Sequence, residues 1–150
     1  MTIMEEAQKI KPWMVDLRRD FHMHPEPSFE EVRTSKIIAR ELEKMGIAVA
    51  TTGKTGVIGL LKGKGTGKVI GLRADIDALS VTEDTGLPYS SKNPGYMHAC
   101  GHDTHITELL GAAKILSDLK DELSGSVKFI FQPAEEAGAG AAYMIEHGVL

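Results

Sequence analysis

Three short runs of β-branched and aliphatic residues, interleaved with stretches of helical periodicity, set the first limit on this chain, because alternating strands and helices must stack as layers around one core. The strand runs are residues 57–61, 69–72 and 127–131, and Pro133 closes the last of them. From Ile10, the residues Met14, Leu17 and Phe21 fall at helical spacing and predict an amphipathic helix that stops before HMHPEP, where Pro25 and Pro27 end it. Ser28 followed by Glu31 predicts a capping box opening a second helix, with Ile38, Leu42 and Met45 as its buried stripe and Gly46 as its C-cap. A third helix is predicted from near Gly101, with Ile106, Leu109, Leu110 and Ala113 on one face. KGKGTGK, between the first two strand runs, has the composition of a hairpin connector, so those two strands are expected to pair directly. Residues 82–96 read as an irregular loop. The fold class is α/β. Two of the strands run directly into acidic residues, which puts a site at the carboxyl ends of the sheet.

The length of 150 residues with 42% apolar residues suffices for one core. With 17 Lys and Arg against 21 Asp and Glu there is no basic stripe, and no nucleic-acid partner is expected. Cys100 is the only cysteine, so no internal disulfide forms and a cytoplasmic location is expected. The first residues, MTIMEEAQKIKPWM, mix acids, bases and a proline unlike a signal peptide, and no apolar run reaches membrane-spanning length, so no membrane partner is expected. GKT at residues 53–55 and GKGTGK at residues 63–68 resemble phosphate loops but fail on spacing. The positions that need glycine hold Ala48 and Lys62, and Val69 follows the second lysine.

The densest chemical cluster is MHACGHDTH, residues 97–105. Cys100 and His102 flank a glycine that lets the chain bend, and alternate side chains of a turning backbone can converge on one ion. A cysteine at a helix N-terminus should also have its thiolate favoured. The competing reading, a small buried Cys beside surface histidines, is the commoner outcome for a lone pair of this kind. His102 and His105 are three apart and offer a different metal pair on a helix face. His98, His22 and His24 are assigned to capping or loop hydrogen bonds, and His147 to the solvent. Glu135 and Glu136 follow a strand. Their side chains leave in different directions, so one can bind an ion while the other reaches its water, or both can simply serve a helix first turn. Asp75 and Asp77 share a face if extended, either as support for a site or as partners of Arg73.

In order, RRDFHMHPEPSFEE, RADIDAL, MHACGHDTH and FIFQPAEEAGAGA resemble the amidohydrolase branch of the dinuclear metallopeptidase and aminoacylase family, which includes N-acyl amino acid amidohydrolases, hippurate hydrolases and indole-acetyl-amino-acid hydrolases. The resemblance implies a zinc-peptidase-like sheet flanked by helices and incomplete at the C-terminus. Residues 1–150 would be the N-terminal portion of the catalytic metal-binding domain, without the dimerisation domain and the rest of the catalytic domain. It implies Cys100, His102 and Glu136 as metal ligands, Glu135 as general base, and two further ligand histidines downstream. Asp77 takes the place of the aspartate that supports the site, and Asp75 the place where peptidase relatives use a histidine ligand. Two divalent ions, drawn from zinc, manganese, cobalt or nickel and about 3.5–4 Å apart, would assist hydrolysis of an N-acyl amino acid at its amide bond. Full-length members would form homodimers or tetramers. The alternative is a catalytically incomplete piece with no activity of its own. Two departures stand out. Ser80 occupies a position where relatives usually have proline, and Ala137 and Ala139 interrupt a glycine run, at a cost of roughly 1–2 kcal/mol if either must be left-handed.

Overall fold

The structure, a computed structural model, describes residues 2–150. In chain order it consists of α1 (Ile3–Met23), α2 (Val32–Lys44), β1 (Ala48–Thr52), β2 (Gly56–Lys62), β3 (Val69–Asp75), α3 (His102–Asp118), β4 (Ser126–Gln132) and α4 (Gly140–Glu146). The mixed α/β class and the strands and helices placed by periodicity are all present. Helix α1 starts at Ile3 rather than Ile10, because Thr2 and Glu5 form a reciprocal capping box that the apolar stripe does not mark.

The capping box predicted for α2 does not form. Glu31 occupies the N-cap position without a side-chain capping bond. The first amides of the helix are held instead by Glu26, whose carboxylate accepts the N–H groups of Arg33 (2.9 Å) and Thr34 (2.8 Å) from across Pro27. Ser28 donates to Asp77 (2.6 Å), and Glu31 turns into the interior. A serine and a glutamate at the right spacing were thus drawn into tertiary bonds that outweigh the local ones. At the other end, Gly46 (φ 72°) follows the cap and donates to Glu43, while Ile47 donates to Leu42, the Schellman pattern.

The sheet order is β1-β2-β4-β3, with β1–β2 and β2–β4 antiparallel and β3–β4 parallel. The expected β2–β3 hairpin is therefore corrected: β4 lies between them. The glycines of the connector serve close backbone approach to residues 123–125. Gly63 donates to Gly125 and Gly67 to Ser124, and a Cβ on Gly65 would sit 2.1 Å from the Ser124 carbonyl oxygen. Parallel pairing of β3 with β4 needs a crossover, and α3 provides it.

Val127, Phe129 and Phe131 of β4 and Val57 and Leu61 of β2 face the helices. They pack against Ile38 and Leu42 of α2, Ile106, Leu109, Leu110 and Ala113 of α3, and Phe21 of α1. Met45 is only partly buried. No helix among the described residues is long and apolar enough to cross a membrane. Because β3 and β4 run parallel in the register Asp75↔Gln132, the segments that follow them leave the sheet side by side.

Candidate metal centre

Three chain segments meet beyond those strand ends. The first is Asp75-Ile76-Asp77, and Ile76 extends the ladder through its bond to the Gln132 carbonyl (3.0 Å). The second is Glu135-Glu136, in a turn between β4 and α4 rather than in a helix first turn. The third is Cys100-Gly101-His102, where Gly101 (φ 85°) is the N-cap of α3 and turns the chain so that residues on either side of it face one point. Ligand atoms of Cys100, His102 and Glu136 all lie within 4.8 Å of one another, and those of Asp75, His102 and His105 form a second such group.

His102 is at the centre, with a side chain only 3% exposed. Carrying its hydrogen on Nδ1, it donates to the Asp77 carbonyl oxygen (2.8 Å). Nε2 is then left as a lone pair facing Asp75 Oδ1 (3.5 Å), Glu136 Oε1 (3.7 Å) and Glu135 Oε2 (3.9 Å). A metal-binding imidazole usually has its other nitrogen fixed by such a bond. Asp77 is buried, and its carboxylate accepts the backbone N–H groups of Glu135 (3.1 Å) and Glu136 (3.0 Å). Asp75 meets both Arg73 and a neighbouring histidine. Oδ1 meets His105 Nδ1 (2.6 Å), and Oδ2 pairs with Arg73 (3.0 Å).

Charge in this cluster is lopsided, and the protonation equilibria record it. Burial raises the Asp77 pKa, but the bonds from His102, Ser28 and the two backbone amides prevail and bring it down to about 2. Burial lowers the His102 pKa, yet the Asp77 bond and the Asp75 charge outweigh burial and raise it. The Cys100 thiol is pushed up, chiefly by its bond to Glu136 and by that carboxylate's charge. The expected thiolate preference from the helix end is therefore reversed by the neighbouring acids. Among the described residues Glu136 Oε1 is buried without a hydrogen-bond partner. A divalent cation answers each of these features: it neutralises the acids, favours the thiolate and gives the orphaned oxygen a partner. The donor set fits such an ion. Sulfur, imidazole and carboxylate together suit zinc and its neighbours in the transition series.

Other assignments change. Cys100 is exposed, not a small buried thiol. His98 makes no loop hydrogen bond: it is 3% exposed, with neither ring nitrogen partnered among the described residues. Burial above all brings its pKa down to about 4, against the pull of Asp103 and Asp77. His22 is also buried, bonded to Asp103 (2.7 Å) and Glu83 (3.2 Å), while His24 caps locally onto Asp20 and His147 is exposed as expected. Neither Ala137 nor Ala139 is left-handed. That conformation falls to Gly138 (φ 66°) and to Ala134 (φ 51°). A spacing cue marks His105 in the sequence, but none marks Glu31, which reads there as part of a capping box.

A mixed sheet with a thiol–imidazole–carboxylate cluster beyond its parallel strands makes this a candidate metal-binding α/β domain. The chain belongs to peptidase family M20/M25/M40, whose family description matches residues 71–150. It is 52% identical to N-acetylcysteine deacetylase of Bacillus subtilis over 91% of its own length and 37% of that protein's. It is likewise 52% identical to IAA-amino acid hydrolase ILR1-like 5 of Arabidopsis thaliana, covering 92% of this chain and 32% of the relative. Among solved structures, the Bacillus subtilis YXEP protein, described as a dinuclear metal binding peptidase from the M20 family, superimposes with a TM-score of 0.92 at 50% identity. That match covers 95% of this chain and 40% of the other. The chain thus spans 32–40% of the length of these three relatives, which are named as a deacetylase, an amino acid hydrolase and a peptidase.

Proposed function

We propose that the protein of which these residues form part hydrolyses the amide bond of N-acyl amino acids with the help of two divalent ions. The observation that carries this reading is the approach of Cys100, His102 and Glu136 ligand atoms to within 4.8 Å of one another from three separate segments. In it, Cys100, His102 and Glu136 hold metal, with further ligands from other parts of the protein. Bound divalent ions would acidify a water and polarise the acyl carbonyl. Glu135, the more exposed of the two glutamates at 42% against 20%, takes the water's proton and returns it to the departing amine nitrogen. Asp77 keeps both glutamates in place through their backbone amides and orients His102 through its own carbonyl. The names of the relatives, a deacetylase of an N-acetylated amino acid and a hydrolase of an acylated amino acid conjugate, support the substrate class. The ion is zinc, manganese, cobalt or nickel, and the complete protein works as a homodimer or tetramer.

The test is hydrolysis of N-acetyl amino acids by the complete protein after loading with manganese or zinc. Glu135→Gln should lower turnover by about 10²–10⁴-fold while metal content holds. Unchanged turnover removes Glu135 from the role of base. The open edge of β3 among the described residues and the 37% coverage favour a second reading for the 150 residues by themselves, a catalytically incomplete piece without activity of its own. The same assay on this chain alone separates the two.

A further inference from the structure

The turn that carries Glu135 and Glu136 is fastened by three successive backbone amides, and two buried carboxylates take all three. Asp77 accepts from Glu135 and Glu136 (3.1 and 3.0 Å). Glu31 accepts from Ala134, at 2.9 Å, across a sequence separation of 103 residues. Ala134 (φ 51°) and Phe29 (φ 63°) are the two non-glycine residues with left-handed backbone among the described residues. Side chains disfavour that conformation, so something must hold each one there. The amides of both donate to the same atom, Glu31 Oε1, at 2.9 and 3.0 Å. The other oxygen accepts from the Thr55 hydroxyl (2.5 Å).

Glu31 is fully buried, and no basic side chain pairs with it among the described residues. A carboxylate in such a place is costly unless its hydrogen bonds are needed. They are not needed to start α2, since Glu26 caps that helix. The two clamps are also joined to each other: Ser28 donates to Asp77 while its neighbour Phe29 donates to Glu31. One short segment therefore ties both carboxylates to the same turn.

We propose that Glu31 is a positioning residue for the candidate metal centre. It holds Ala134 left-handed and so aims the next two side chains, Glu135 and Glu136, toward Cys100 and His102. Rotation at Ala134 would swing both glutamates together and pull their amides from Asp77. This inference rests on the metal-binding reading of Cys100, His102 and Glu136 and extends it to a residue outside the ligand set.

The test is a titration of the intact protein with cobalt(II), read by the absorption of the cobalt–thiolate bond at Cys100, together with a thermal melt of each variant. Glu31→Leu removes both acceptors at similar volume and should weaken cobalt binding by about 10–100-fold, the usual effect of losing a group that orients a ligand. Glu31→Asp keeps a carboxylate but withdraws it by one methylene, and should weaken binding in the same direction even if the leucine variant does not fold. Glu31→Gln can present its carbonyl to the two amides and its NH₂ to Thr55, and should recover most of the affinity. Leu42→Ala, a core truncation on α2, serves as the control and should lower the melting temperature while leaving cobalt affinity unchanged. Glu31→Asp with wild-type cobalt affinity overturns the inference, as does a Leu42→Ala loss as large as that of the Glu31 variants. If the wild-type protein gives no cobalt–thiolate band, the metal-binding reading itself has failed, a result distinct from either.

Discussion

Burial raises the pKa of both Glu31 and Glu83, but hydrogen bonding outweighs it only at Glu83, and the difference fixes how stability should depend on pH. Burial raises the Glu31 pKa above its usual 4.5, and the bonds from Thr55, Ala134 and Phe29 only partly offset it. The folded state then holds the Glu31 proton more tightly than the unfolded one, so this stabilising contribution is complete below pH 4.5 and lost as pH rises through the raised folded value. Glu31→Gln should therefore gain stability relative to wild type as pH rises, and a difference that stays constant with pH in denaturant melts would contradict this. At Glu83 burial also raises the pKa, but the Thr85 hydroxyl, the Ser91 amide and His22 prevail and bring it down to about 2. The sign is then reversed. Glu83 contributes fully above about pH 4.5, and the contribution is lost as pH falls toward 2. Glu83→Gln should flatten the acid limb of the stability profile, which melts between those limits would reveal. At Cys100 the neighbouring Glu136 opposes the thiolate that a metal requires. Cys100→Ala should lower bound metal per chain, measured by elemental analysis, and a full complement in that variant would take sulfur off the ligand list.

Among the elements, those with a periodic apolar face were legible from sequence and those held by tertiary bonds were not. The stripe Ile106, Leu109, Leu110, Ala113 identified α3 because burying it against β4 is what the helix contributes to the core. The capping box at Ser28 and Glu31 failed because both side chains have stronger partners distant in sequence, Asp77 for one and Thr55 with Ala134 for the other. The hairpin failed for a similar reason. Glycine-rich composition marks places where backbones approach, and says nothing about which backbone approaches. Within the site, the family resemblance marks the three candidate ligands, whereas the short Asp75–His105 bond joins residues 30 apart in sequence and leaves no trace in the spacing. Ser80 gives an element-scale prediction. It is central in a tight turn closed by Val81 N–H to the Leu79 carbonyl (2.9 Å), and its own φ is not positive. The central residue of such a turn lies near proline's φ, and its amide has no acceptor among the described residues. Ser80→Pro should stabilise the protein by about 0.4–1 kcal/mol, seen as a raised Tm. A lowered Tm would mean that the turn departs from that geometry.

At the scale of the whole molecule, the outer edge of β3 stands open among the described residues. Its backbone groups have no neighbouring strand among the described residues, and Val69 and Ile70 are 57% and 61% exposed. Unpaired edges with apolar side chains recruit other strands. The 150 residues alone should self-associate in sedimentation velocity, and Ile70→Lys should reduce that association. A wild-type chain that sediments as a monomer would show the edge to be inert. The strand order has a temporal side as well. During synthesis β2 and β3 leave the ribosome before the strand that must separate them, with α3 and a long loop still to be made in between. For that interval neither has its native neighbour on the β4 side, so a nascent chain risks sealing the two against each other in a false hairpin, and delivery of β4 becomes the step that commits it.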